Sequence, residues 1–168
     1  MGERGGQVRR YVPQWDFPCY AHRLGLTAHP RRDEGGHSYG QAEFCAPAGL
    51  RPDNWRASRL YLWGVDLFNN AFWWEAHEAW EALWKCSAPL VREFLQGLIQ
   101  IGAACLKAAA GNRVGTERLL DKGRRRLERV CGETGVFMGV ELPAFLAQLD
   151  SLFERVALKR YPLVILKD

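Results

Sequence analysis

The chain has 168 residues, 48% of them hydrophobic, and it contains seven tryptophans. A chain of this length usually forms one domain and buries roughly 70% of its unfolded surface. The formal net charge of +4 is mild and neither demands nor excludes an acidic partner such as nucleic acid. The longest apolar run holds two glutamines and a lysine, so it is too polar and too short for a membrane span.

The cysteines indicate a reducing compartment. There are five of them, an odd number, and no two form a CxxC pair. This pattern argues against a disulfide framework and against a structural zinc site. The first residues also lack the apolar segment of a signal peptide. We therefore expect free thiols and a cytoplasmic location for a chain with these cysteines: Cys19, Cys45, Cys86, Cys105 and Cys131.

Residues 1–51 differ in composition from the rest of the chain. They are rich in Gly, Pro, Arg and His, and they show no sustained hydrophobic period of 3.6 or 2. We interpret them as an extended N-terminal arm, of which residues 1–6 are mobile. Six aromatic side chains give the arm apolar surface with which to pack on the remaining domain: Tyr11, Trp15, Phe17, Tyr20, Tyr39 and Phe44.

Residues 52–168 are predicted to form a helical bundle. Helix one follows Asp53 as its cap, and helix two covers 72–85. Helix three has Ser87 as its cap and Pro89 in its first turn, and it stops at Gly111.

Two further helices complete the predicted bundle. Asn112 caps helix four, which runs to about residue 130, and a glycine-containing loop follows. Pro143 opens helix five, which ends near Leu158. Because short connections join long helices as antiparallel neighbours, we predict a mainly α, up-and-down bundle of about five helices.

Helix two carries the sequence "WWEAHEAWEALW", in which ionisable residues lie among indoles. At 100° per residue, Trp73, Trp80 and Trp84 share one stripe and are predicted to lie in the interior. His77 lies on the flank of this stripe, and Glu81 follows one turn later. We therefore expect this pair to be at least partly buried, side by side.

A buried ionisable pair needs polar partners. Loss of Glu81 is accordingly expected to cost about 1–3 kcal/mol of stability. Helix three offers Gln96 and Gln100 on an otherwise apolar face, whereas Glu75 is predicted to point away from the pair. The sequence thus predicts a polar pocket between helices two and three, with Trp84 as part of its wall.

Three motifs in order carry a resemblance to a known family. "FNNAFWWEAHEAWEALW", "LQGLIQ" and "GNRVG", between about residues 60 and 130, are similar to the family known as domain of unknown function 309. The family is a small helical domain with an H-x-x-x-E-x-x-(W/Y) motif, which corresponds here to His77, Glu81 and Trp84. The resemblance implies a helical fold and suggests metal binding, with no established activity. Members often have glycine in place of Ala71.

A divalent metal ion is a candidate cofactor. His77 and Glu81 can face one ion, through an imidazole nitrogen and a carboxylate oxygen. Two protein ligands are too few, so the further candidates are His29, His37, Glu78 and Glu75. The HExxH pattern of metalloproteases is absent because residue 81 is Glu. The ExxH pair of di-iron bundles is absent because residue 74 is Trp.

The arm offers a way to complete such a site. It carries three of the four histidines, and it is too long to be a simple connection. We expect it to cover the pocket and to bring His29 or His37 to the His77–Glu81 pair.

Other interpretations of the same residues remain open. The polar side chains could form a purely structural network, or a catalytic site. The protein could be a non-enzymatic helical interaction module, and a homodimer is expected in that case. Basic residues on helix four could track a phosphate backbone, but acidic residues alternate with them, so a solvated face is favoured over nucleic-acid binding.

Overall fold

A computed structural model describes residues 8–44, 49–132, 135–157 and 160–167. The predicted mobility of residues 1–6, the state of Cys45 and the predicted helix end at Leu158 lie outside these ranges. The described chain contains six α-helices: α1 Arg59–Asn69, α2 Trp73–Cys86, α3 Pro89–Ala109, α4 Arg113–Cys131, α5 Leu142–Ala147 and α6 Leu152–Ala157. None of the helices in these ranges is both long and apolar enough to cross a membrane.

The prediction that Asp53 caps helix one is wrong. Ser58 occupies the N-cap of α1, and its hydroxyl accepts a hydrogen bond from the Tyr61 amide. A short 3-10 helix, Trp55–Ala57, precedes it. Asp53 instead pairs with Arg51 at the surface. Both residue types are good caps, and burial of the indole of Trp55 fixes the preceding turn in this non-α geometry.

Ser87 lies between α2 and α3, but it does not cap α3 as predicted. The N-cap position belongs to Ala88, and Pro89 is the first residue of α3. The Ser87 hydroxyl donates to the Leu83 carbonyl (2.7 Å) and accepts from the Leu50 amide (3.1 Å). Ser87 therefore closes α2 and binds the chain that leads out of the arm.

The first residues of α4 follow the prediction. The Asn112 side chain accepts a hydrogen bond from the Gly115 amide at 2.8 Å, which confirms it as the N-cap. The helix packs closely on α3 because glycines face each other. A Cβ atom on Gly123 would lie 3.0 Å from the carbonyl oxygen of Gly97. These two glycines set the distance between the helices.

The predicted fifth helix is wrong as a single element. A two-stranded antiparallel sheet precedes it, made of β1 Val136–Phe137 and β2 Val140–Glu141. Met138 and Gly139 form its turn with positive φ angles of 47° and 82°. The helical part is divided into α5 and α6, with a turn at residues 148–151 between them.

The four long helices pack in sequence, α1 on α2, α2 on α3 and α3 on α4, so the prediction of a mainly α protein with a helical bundle core is confirmed.

Two of the three tryptophans predicted to lie in the interior, Trp73 and Trp80, are fully buried. Gly64 of α1 lies beneath the indole of Trp80, which leaves no room for a Cβ atom. Trp84 is only half-buried, and the Arg92 guanidinium lies 4.6 Å from the centre of its ring.

Candidate functional site

Three ionisable side chains of α2 come together on one face. The imidazole of His77 and the carboxylates of Glu78 and Glu81 each offer one ligand atom, and these atoms all lie within 4.8 Å of one another. His77 Nε2 and Glu81 Oε2 are 3.4 Å apart. The two side chains are 35% and 37% exposed, so they are less buried than the sequence indicated. The cluster is accessible to an ion from solvent.

Cationic side chains accompany both carboxylates. The Lys85 ammonium lies 3.9 Å from Glu81, and the Arg31 guanidinium of the arm lies 3.8 Å from Glu78. Burial raises the pKa of the Glu78 carboxyl above its ordinary value, against the opposing effect of nearby His77 and Arg31. The cluster is therefore a mixed-charge site, in which a bound cation would compete with these two side chains.

A cavity of about 160 Å³ lies beside the cluster. Its lining comes from the arm and from α2: Arg31, Glu43, Phe44, Glu78, Glu81, Ala82 and Lys85. The space next to Glu81 is thus bordered by α2 and the arm, whereas the sequence placed the pocket between helices two and three.

The glutamines of α3 are not joined to this cluster. No hydrogen bond within the described ranges links Gln96 or Gln100 to His77 or Glu81. The side-chain oxygen of Gln100 is buried and has no hydrogen-bond partner among the described residues. Trp84 packs against Arg92 of α3, as described above. The role predicted for these three residues in one pocket stays a prediction.

The two arm histidines contact other groups. His37 Nε2 lies 3.0 Å from a Glu75 carboxylate oxygen, and His37 Nδ1 lies 2.8 Å from the Ser38 hydroxyl. His29 Nδ1 accepts from the amides of Arg31 and Arg32, both at 3.3 Å. The structure therefore brings His37 to a carboxylate of α2, but to Glu75 rather than to Glu81.

Glu75 is the residue that the sequence analysis underestimated. It is buried, and one of its oxygens accepts from the His22 amide at 2.8 Å as well as facing His37. The helical period placed Glu75 away from the indole stripe, and that direction is where the arm packs. Two features of the sequence could have indicated this contact. Glu75 lies on the side of the helix opposite the indole stripe, and the arm is rich in histidine.

Asp66 of α1 plays a parallel role. Its fully buried carboxylate accepts from the amides of Tyr11 (2.7 Å) and Val12 (2.8 Å). The signal in the sequence is an acid within the apolar run "LYLWGVDLF". Two buried carboxylates, Asp66 and Glu75, thus hold the backbone of the arm on α1 and α2.

Aromatic contacts surround the Glu75 end of the arm. The ring of Trp74 meets those of His22, His29 and His37 at centroid distances of 5.9, 5.4 and 6.3 Å. Burial lowers the pKa of His22, and the nearby His29 lowers it further. Burial also lowers the pKa of His29, with a contribution from Arg32. These shifts favour the neutral forms of both imidazoles.

Comparison with known proteins identifies the helical region. No curated protein and no solved structure matches the chain. A family model matches residues 61–119, a segment that extends from α1 into α4 and includes the whole of α2 and α3. This segment, which includes the His77–Glu81 cluster, is similar to the family described as Domain of unknown function (DUF309).

Proposed function

We propose that this protein binds a divalent metal ion through His77, Glu78 and Glu81. The observation that supports the proposal is the approach of their three ligand atoms to within 4.8 Å on one helix face. One imidazole nitrogen with two carboxylate oxygens suits first-row ions such as Zn²⁺ and Mn²⁺. A three-ligand site leaves coordination positions free for water or a small molecule.

Metal binding would displace two cationic side chains from the carboxylates. Lys85 and Arg31 would lose their ion pairs with Glu81 and Glu78. Both pairs are long and partly exposed, so each is weak. An ion that binds two carboxylates and an imidazole can replace interactions of this strength. The adjacent cavity of about 160 Å³ would then hold the water or small molecule on the open positions.

Metal titration of the full-length protein tests the proposal. Protein purified without a His-tag and stripped with chelator is titrated with Zn²⁺ and with Mn²⁺ in a calorimeter. We expect one ion per chain, and loss of that binding in His77→Ala and Glu81→Gln. The matched control is Glu117→Gln, because Glu117 forms an exposed pair of the same helical spacing with Arg113. Binding that survives both cluster variants would refute the assignment.

A second candidate function is a non-enzymatic helical interaction module, in which the polar side chains are purely structural. The observation that favours it is that Glu78 and Glu81 already have cationic partners without an ion. In this alternative the chain forms a homodimer. Sedimentation at several concentrations tests it, since a mass that stays at one chain, together with specific metal binding, would exclude the module in favour of the first proposal.

A further inference from the structure

A smaller cavity lies between the arm and α2, next to the buried carboxylate of Glu75. Its volume of about 30 Å³ is enough to admit a water molecule or an ammonium group. Its lining includes His37 and Phe44 from the arm, Trp63 from α1, and Trp74, Glu75 and Glu78 from α2. The proposed metal ligands His77 and Glu81 do not line this cavity, whereas the third proposed ligand, Glu78, does.

Glu75, one of the residues that line the cavity, has an oxygen without a hydrogen-bond donor. Glu75 is 3% exposed, and one of its oxygens accepts from His22 and faces His37. The other, Oε2, is buried and has no hydrogen-bond partner among the described residues. A buried carboxylate oxygen without a donor is destabilising. A donor in the cavity would remove this cost.

Aromatic rings form much of the remaining lining. Phe44 and Trp63 meet edge to face, with centroids 5.6 Å apart and planes at 68°. Trp74 and His37 meet at 6.3 Å and 70°. Rings in this arrangement attract a cation by their π faces, most strongly where water is excluded.

The formal charges also favour a single cation. Glu75 and Glu78 contribute two negative charges, and the Arg31 guanidinium, which also borders the cavity, contributes one positive charge. The carboxylates therefore outnumber the guanidinium group in this lining. A buried charge of this kind favours a partner of opposite sign.

We propose that this cavity binds the head group of a small organic amine, in its –NH₃⁺ form. The ammonium group donates to Glu75 Oε2, and the aromatic rings surround its remaining surface. A quaternary trimethylammonium group has no N–H with which to donate to that oxygen. A potassium ion is a poor substitute because the rings supply no oxygen ligands.

Methylammonium is the probe for the test. Full-length ¹⁵N-labelled protein in chelator-containing buffer is titrated with methylammonium chloride, and the indole N–H signals of Trp63 and Trp74 are followed after assignment with Trp→Phe variants. We expect saturating shifts in both signals. Methanol, tetramethylammonium chloride and potassium chloride at equal concentration should not produce them.

Two variants address the site itself. Glu75→Gln removes the charge and keeps an acceptor for the His22 amide, and it should weaken methylammonium binding roughly tenfold or more. Phe44→Leu removes an exposed aromatic side chain without touching the buried hydrogen bonds, so it decides the matter if Glu75→Gln fails to fold.

Two control variants, His77→Ala, which removes a proposed metal ligand, and Glu117→Gln, should bind methylammonium like the wild type. An equal response to methanol, no response at all, or wild-type affinity in Phe44→Leu would overturn the proposal.

Discussion

At the scale of single residues, Ala71 combines burial with an unfavourable backbone angle. Its φ of 63° lies in the left-handed region, which costs a non-glycine residue about 1 kcal/mol. Its carbonyl accepts from the Arg23 side chain at 2.9 Å, so the conformation at the α1–α2 connection also fixes the arm. Glycine, which the resemblance implies is frequent at this position, would adopt this angle without strain.

We predict that Ala71→Gly leaves the free energy of unfolding unchanged or raises it by up to about 1 kcal/mol, because relief of φ strain offsets the lost methyl burial and the added chain entropy. Urea denaturation measures the change. Ala104→Gly is the control, since Ala104 is buried within α3, and it should destabilise by about 1 kcal/mol or more. Equal destabilisation by both substitutions would contradict the argument.

The exposure of the His77–Glu81 pair changes the expected effect of removing it. Both side chains are about one-third exposed and 3.4 Å apart. Such a pair contributes less than about 1 kcal/mol, below the 1–3 kcal/mol expected for a buried pair. In metal-free protein we therefore expect Glu81→Ala to shift the denaturation midpoint only slightly.

Glu75→Ala is the comparison for that measurement. It removes the acceptor of the His22 amide and the partner of His37, so we expect a loss of about 2–3 kcal/mol. If Glu81→Ala proved the more damaging of the two, the assignment of the buried polar centre to Glu75 would be wrong.

At the scale of elements, the attachment of the arm to α2 depends on neutral histidines. The pKa values of His22 and His29 lie below the ordinary 6.5 in the folded protein, chiefly through burial. Between the lowered pKa values of the folded protein and the ordinary value of 6.5, the unfolded arm therefore binds more protons than the folded arm. By linkage, stability falls as the pH drops through this range.

Hydrogen exchange of the arm amides measures this effect. After correction for intrinsic rates, we expect protection at residues 20–38 to decrease between about pH 7.5 and 5.5. Amides of α3 serve as the internal control, because no histidine lies on that helix. His22→Gln should reduce the pH dependence. Constant protection of the arm across this range would contradict the proposed role of the histidines.

At the scale of the whole molecule, the arm is held by contacts distant in sequence. Val12 and Asp66 are 54 residues apart, and His22 and Glu75 are 53 apart. The arm side chain Trp15 also meets Trp63 edge to face, and Phe17 stacks on Phe72. The helical domain and the arm therefore share one set of buried polar groups.

We predict that deletion of residues 1–50 destabilises the helical domain by several kcal/mol or unfolds it. The deletion leaves Asp66 and Glu75 without their backbone donors and exposes apolar surface of α1 and α2. Thermal denaturation and amide exchange around His77 provide the measurement. A truncated protein of unchanged stability, with unchanged exchange in α2, would show that the arm is dispensable.

Local chemistry was sufficient for much of the fold. The 3.6-residue period gave the four long helices, and the Asn112 cap and Pro89 marked two of their starts. The same period identified Trp73 and Trp80 as core residues. Helical spacing also placed His77 and Glu81 within reach of each other, because residues one turn apart are neighbours in any α-helix.

Only the tertiary structure decided which polar residues meet. The arm has no period, so its path depends on which buried carboxylates receive its amides, and the sequence does not encode that choice locally. The pairing of His37 with Glu75, the capping of α1 by Ser58 and the division of the fifth helix all arose this way. Each depends on burial against distant segments, which local propensity cannot anticipate.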